Sequence, residues 1–102
     1  MPNQIYRRRE FIIFRSRGCF IVQNVSKHFK QGHTHLRSFT QAKRAIDLCI
    51  AEKVPQNSSI YYLKSLLRLS KNKKYEDRLL ELIEVRETKG RKERYLNQPY
   101  VM

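Results

Sequence analysis

Long apolar runs are missing from this chain of 102 residues. No stretch approaches the roughly 20 apolar residues that a membrane-spanning helix needs. Three arginines near the N-terminus are followed only by the short apolar run Phe11 to Phe14, and a signal peptide needs a longer one. We therefore expect an intracellular, cytoplasmic protein that has no membrane partner.

Cysteine is scarce, with Cys19 and Cys49 as the only two. Their spacing matches no disulfide framework, which predicts free thiols in a reducing compartment. A zinc ion would need Cys19 together with His28, His33 and His35, and no spacing typical of zinc sites supports that set. We therefore expect no metal and no other cofactor.

Acidic residues are nearly absent from the first 46 positions, where Glu10 is the only one. A metal-dependent nuclease holds its ions with clustered carboxylates, so this region does not fit that class. A metal-free ribonuclease with His33 or His35 as general base remains an alternative. The interpretation we favour is a protein that is not an enzyme and has no small-molecule substrate.

Positive charge is the strongest feature of the composition. The chain has 22 Lys and Arg residues against 9 acids, a net charge of +13. Residues 1–37 hold eight basic residues and one acid, and residues 55–74 hold five and none. Residues 75–90 hold three basic residues and five acids, so the excess is uneven along the chain. Such asymmetry is typical of a surface that binds a polyanion.

The clearest element is a helix between Leu36 and Pro55. Ser38 and Gln41 form a capping box at its start, and the proline is expected to end it. Apolar residues then recur at steps of three and four, which predicts one buried stripe. The stripe consists of Phe39, Ala42, Ala45, Ile46, Cys49 and Ile50.

Short β-rich runs precede this helix. Phe11 to Phe14 and Cys19 to Val22 flank a segment that ends in Gly18, which predicts a hairpin. His33 to Leu36, with β-branched Thr34 at its centre, is expected to pair with the second run and complete a three-stranded antiparallel sheet. An isolated hairpin is only marginally stable, so the sheet needs a packing partner. The helix should pack across one face of this sheet.

Two further helices should follow. One runs from about Ser59 to Ser70, and the next from about Tyr75 to Lys89 with Gly90 as its terminating residue. The fold class is thus α+β, a three-stranded antiparallel sheet packed on one helix and followed by two antiparallel helices. We divide the chain into a basic N-terminal arm (1–10), a single domain (11–90) and a flexible basic tail (91–102).

Basic residues of the sheet and its loops form the best candidate binding site, because arginine suits phosphate oxygens and stacks on bases. The second helix adds an aromatic residue within a basic stripe, which could stack on an unpaired base. The predicted nucleic-acid-binding residues are Arg7, Arg8, Arg9, Arg15, Arg17, Lys27, Lys30, Arg37, Tyr61, Lys64 and Arg68.

The segment from Leu36 to Ile46, placed after a hairpin, resembles the junction of the third strand and the helix in three-stranded DNA-binding domains. These are the arm-binding domains of phage and transposon integrases and the related plant AP2 domains. The resemblance covers about 45 residues and implies a sheet that enters the major groove with the helix packed behind it. The small, basic chain also looks like accessory proteins of phages and mobile elements.

Together these features predict non-enzymatic binding of a nucleic acid, DNA or RNA, with phosphate contacts that supply most of the affinity. One alternative is an inhibitor of the anti-CRISPR type, which binds a host nucleoprotein enzyme and blocks its nucleic-acid path or assembly. Another is a ribosome- or RNA-associated factor. The sequence does not distinguish DNA from RNA.

Overall fold

All the described strands precede the helices along the chain. The computed structural model describes residues 3–96, and side chains from residue 3 to residue 89. The elements are β1 (Asn3–Arg8), β2 (Phe11–Ser16), β3 (Cys19–Asn24), β4 (His33–Leu36), α1 (Phe39–Ala51), α2 (Ile60–Leu69) and α3 (Lys73–Leu96). The α+β fold class is therefore confirmed.

The sheet has four antiparallel strands in the order β1-β2-β3-β4, so the prediction of three strands was wrong by one. Residues 3–8, predicted as part of a basic arm, form β1 and pair with β2. This segment is mostly polar, and the pairing register shifts between Gln4 and Tyr6, so it lacks the alternating pattern that marks a strand. Tertiary contacts hold β1 in place. The rings of Tyr6 and Phe39 of α1 pack edge to face, with their centroids 6.0 Å apart.

One face of the sheet is covered by α1 and α2, and α3 packs against α2. The core lies between these layers and includes Ile13 and Val22 from the sheet, Ile46 from α1 and Leu66 from α2, all with 0% exposure. The predicted stripe of α1 is confirmed, with its two alanines, Ile46 and Cys49 buried. Burial of these apolar side chains, at about 25 cal/mol per Å², is the main source of stability.

The ends of α1 and α2 are capped as their sequences suggest, with one difference. The side chains of Ser38 and Ser59 accept hydrogen bonds from backbone N–H groups of their helices, at 3.0 and 3.2 Å. Helix α1 ends earlier than predicted, because Glu52 adopts a left-handed conformation with φ of 55° and its N–H bonds back to Cys49. The turn at Glu52, rather than Pro55, therefore terminates α1.

The last helix is longer than predicted. α3 begins at Lys73, where the Asn72 side chain accepts from the N–H of Tyr75 at 3.0 Å, and it runs through Gly90 to Leu96. The predicted end at Lys89 was wrong because one glycine costs only about 1 kcal/mol within a helix, and the following Arg91 to Arg94 are strong helix formers. Residues 97–102 of the predicted tail lie outside the described residues. No described helix combines the length and apolarity needed to cross a membrane.

Candidate nucleic-acid interface

The strand register divides the sheet into a face packed on helices and an open face. Phe11, Ile13, Val22 and Leu36 belong to the core, so their strand neighbours point to the opposite side. Residues that pair directly across two strands lie on the same face of the sheet. The register therefore assigns each paired residue of the four strands to one face or the other. The open face consists of Gln4, Arg7, Ile12, Phe14, Ser16, Cys19, Ile21, Gln23, His33 and His35.

The centre of the open face is apolar and its surroundings are polar or basic. Ile12 is only 6% exposed although it lies outside the helix-packed core, and Phe14 and Ile21 are half-buried. Arg7 pairs with Ile12 in the register and is exposed. None of the ten open-face positions carries an acidic side chain, and Arg7 is the one Lys or Arg among them, so no carboxylate at these positions repels an anion.

A group of rings stands at the β4 side of the open face. The rings of Phe29 and His33 stack with centroids 4.1 Å apart and planes within 8° of parallel. His33 is held in place by a contact between its Nδ1 and the Phe29 carbonyl oxygen, and its ring lies 5.2 Å from that of His35. Phe29 remains 46% exposed. This cluster presents aromatic surface on which a planar base could stack.

Of the four residues that the zinc hypothesis would need, Cys19 and His35 are in contact, whereas His28 lies in a loop. The Cys19 sulfur lies 3.5 Å from Nδ1 of His35, while His28 sits in the loop between β3 and β4 and is exposed. Within the described part of the chain, no three His, Cys, Asp or Glu side chains are arranged so that they could hold a metal ion. The four-ligand zinc alternative therefore has no geometric support here.

Several predicted site residues are exposed, but they do not share one surface. Arg7 lies on the open face, Arg17 in the β2–β3 turn beside Gly18, and Lys30 next to Phe29 in the β3–β4 loop. Arg15 pairs in register with Phe20 and so belongs to the helix-packed side of the sheet. Arg15 and Arg17 are both exposed, Arg15 near the end of β2 and Arg17 in the turn that follows it.

Two further exposed arginines among the predicted site residues lie between elements of secondary structure. Arg9 occupies the turn between β1 and β2 with φ of 55°, and Arg37 follows β4 immediately before the cap of α1. Arg37 lines a recess beside β4.

Two of the residues predicted to contact phosphate instead bind other groups of the protein. Arg8 forms an ion pair with Asp47 of α1, which fastens the edge strand β1 to that helix. Lys27 donates from Nζ to the carbonyl oxygens of Arg68 and Ser70, each at 2.9 Å. Carbonyls at the end of a helix lack partners within the helix, so Lys27 completes the C-terminus of α2.

The predicted basic stripe of α2 fastens the other edge of the sheet. Arg68 donates to the carbonyl oxygens of His33 and Lys30 at 2.7 and 2.5 Å, and Tyr61 donates its hydroxyl to that of His35 at 2.9 Å. Lys64 forms an ion pair with Glu87 of α3 at 3.2 Å. The bonds of Tyr61 and Arg68 cover the exposed edge of β4, which would otherwise be free to pair with another strand, whereas the Lys64 ion pair joins α2 to α3.

Buried groups with shifted pKa lie in the core behind the sheet. Burial raises the pKa of the Cys49 thiol from 9.0 to about 12 and that of the Tyr62 hydroxyl from 10.0 to about 12. Burial also raises the pKa of Tyr75, whose hydroxyl donates to the Lys53 carbonyl at 2.7 Å. All three groups are therefore neutral at physiological pH.

Sequence reasoning had missed the aromatic part of the open face. The alternation of β2 places Phe14 opposite the buried Phe11 and Ile13, and this signal was already present in the sequence. The position of Phe29 had no such signal, because it depends on how the β3–β4 loop folds onto His33.

Comparison with known proteins adds no family assignment. No protein-family model matches the chain, and neither a curated protein nor a solved structure is significantly similar to it.

Proposed function

We propose that this protein binds single-stranded nucleic acid, without catalysing a reaction, through the open face of its sheet. The observation that carries the proposal is a sheet face without acidic side chains, with an apolar centre and the stacked rings of Phe29 and His33 at its side. A net charge of +13 makes a polyanion the complementary partner.

The chemistry of the face favours unpaired bases over a duplex. A protein that reads the major groove needs polar side chains that reach the base edges. The centre of this face instead presents the half-buried side chains of Phe14 and Ile21, which suit the flat faces of bases that are free to unstack. Arg7, Arg17 and Lys30 are exposed and available for phosphate oxygens, which supply affinity but little sequence discrimination.

Fluorescence anisotropy with a ten-nucleotide strand and a duplex of the same sequence tests the proposal. We expect the strand to bind more tightly, with log affinity falling by about 0.7 for each phosphate contact as log salt rises. Preference for the duplex would support the groove-binding mode that the resemblance to integrase arm-binding domains implies. Binding to neither at low salt would refute the proposal and favour the inhibitor of a nucleoprotein enzyme.

Two matched variants separate stacking from general charge. Phe29→Ala should weaken strand binding several-fold, because base–aromatic stacking contributes about 1–3 kcal/mol per base. Leu80→Ala provides the control, since Leu80 is an exposed apolar residue of α3 with 48% exposure against 46% for Phe29. Equal affinities of the two variants would contradict the role of the ring.

A second pair of variants compares the β2–β3 hairpin with α2 as the binding site. We expect Arg15→Ala with Arg17→Ala to weaken binding at least tenfold, about 1.4 kcal/mol, through the loss of Arg17 from the β2–β3 turn, while the melting temperature changes little. Lys64→Ala with Arg68→Ala is the opposing test. If that variant abolishes binding while it remains folded and the hairpin variant binds normally, the site lies on α2.

A further inference from the structure

A recess of about 720 Å³ opens where β4 ends and where α1 and α2 begin. Two arginines line it, Arg37 ahead of α1 and Arg44 on the helix, and none of the lining residues in the described part of the chain is acidic. Within residues 3–89, neither guanidinium takes part in an ion pair. The recess is therefore a concave surface with two positive charges that form no ion pair with a carboxylate of residues 3–89.

The walls of the recess are fixed by the fold. The hydroxyl of Tyr62, a buried residue, donates to the carbonyl oxygen of Gln41 at 2.8 Å, which joins α2 to α1. The guanidinium carbon of Arg44 lies 5.5 Å from the Tyr62 ring centroid, so the ring supports that side chain. Ordering of this kind lowers the entropy that the arginine loses when it binds a ligand.

We propose that this recess binds a phosphate group of the strand that the open face holds, an inference that rests on the proposed function. Arginine is the residue best suited to phosphate, because its planar fork makes two parallel hydrogen bonds to phosphate oxygens. His35 belongs to the open face and also lines the recess, so the two surfaces are contiguous. The phosphate is either the terminal group of the strand or an internal phosphodiester.

The first test uses inorganic phosphate alone and does not depend on strand binding. Nuclear magnetic resonance signals of the arginine Nε–H groups are followed during a phosphate titration of the full chain. We expect saturable shifts of the Arg37 and Arg44 signals, and weaker, non-saturating shifts at other arginines. Uniform, non-saturating shifts at all arginines would overturn the proposal, because they indicate general ionic attraction.

The second test identifies the source of the phosphate. Ten-nucleotide strands with a 5′-phosphate, a 3′-phosphate or neither are compared on wild type and on Arg37→Gln with Arg44→Gln. The control, Lys71→Gln with Lys74→Gln, removes the same charge from two exposed sites, one just before α3 and one in its first turn. Arg37→Gln alone, which leaves the Tyr62 contact in place, serves if the double variant melts at a much lower temperature.

We expect the recess variant to lose about tenfold in affinity, ~1.4 kcal/mol, and the control to lose much less. A loss confined to one phosphorylated strand assigns the recess to that terminus, and an equal loss on all three assigns it to an internal phosphodiester. Equal losses in the recess variant and the control would refute the recess but leave the proposed function intact. Saturable phosphate binding with no strand binding would refute the proposed function and retain the phosphate site.

Discussion

Asn24 is the residue whose replacement tests the architecture most severely. It ends β3 on the helix-packed side and is 1% exposed. Its Nδ2 donates to the carbonyl oxygen of Leu69 at 2.8 Å, and its Oδ1 accepts from the backbone N–H and the hydroxyl of Ser26 at 2.9 and 2.6 Å. One side chain thus joins the sheet, the end of α2 and the loop that carries Phe29.

The cost of Asn24→Ala follows from these bonds. The Leu69 carbonyl loses its partner in a buried position, which costs about 1–3 kcal/mol, and the bonds to the more exposed Ser26 add about 1 kcal/mol. The expected loss of about 2–4 kcal/mol is large against the roughly 5–15 kcal/mol by which domains are stable. For a domain of this size it corresponds to a fall in melting temperature of roughly 10–25 °C.

Thermal melts followed by circular dichroism measure the effect, with Asn57→Ala as the matched control. Asn57 is an exposed asparagine, and its replacement should change the melting temperature by no more than about 3 °C. If Asn24→Ala lowers the melting temperature by less than about 5 °C, the reasoning is refuted. The three side-chain bonds would then contribute little to the junction of sheet, loop and α2.

Three other predictions concern stability. Ile46→Ala should cost about 2–5 kcal/mol by urea unfolding, since Ile46 is fully buried, whereas the exposed Thr40→Ala should cost little; similar losses would mean that the α1 face is assigned wrongly. Arg68→Ala should cost about 1–2 kcal/mol because the carbonyls of His33 and Lys30 lose their donor, and Lys64→Ala, which removes an exposed ion pair, should cost less than about 1 kcal/mol. The reverse order in thermal melts would contradict this assignment. Because the pKa of Tyr62 is raised to about 12, the unfolded state loses that proton first, and stability present below about pH 10 should fall as pH rises towards 12. Tyr62→Phe should reduce this alkaline decline in melting temperature, and an unchanged decline would exclude the contribution.

The parts of the fold that sequence could predict are those with a local signal. Helix α1 combines a cap at Ser38 with a stripe of apolar residues at helical spacing, and the hairpin combines two β-rich runs with Gly18. Strand β1 has neither signal, since its place depends on pairing with β2 and on the contacts of Tyr6 and Arg8 with α1.

The candidate site also has features that the sequence predicts and features that depend on the tertiary structure. The sequence showed that a basic surface is present, but which cations remain free depends on the tertiary fold. Arg68 and Lys27 were indistinguishable from Arg7 by composition, yet both donate to carbonyls at the sheet edge or the end of α2. The recess at Arg37 was equally hidden, because it needs the ends of three elements to come together.

The position of a bound strand on the protein is the most direct test of the central claim. Backbone amide signals of the protein are followed by nuclear magnetic resonance during a titration with the ten-nucleotide strand. We expect the largest shifts at the open face, at Arg7, Phe14, Ile21 and His33, and smaller shifts in the loop around Phe29. Shifts confined to the outer surfaces of α2 and α3, with the open-face signals unchanged, would contradict the claim.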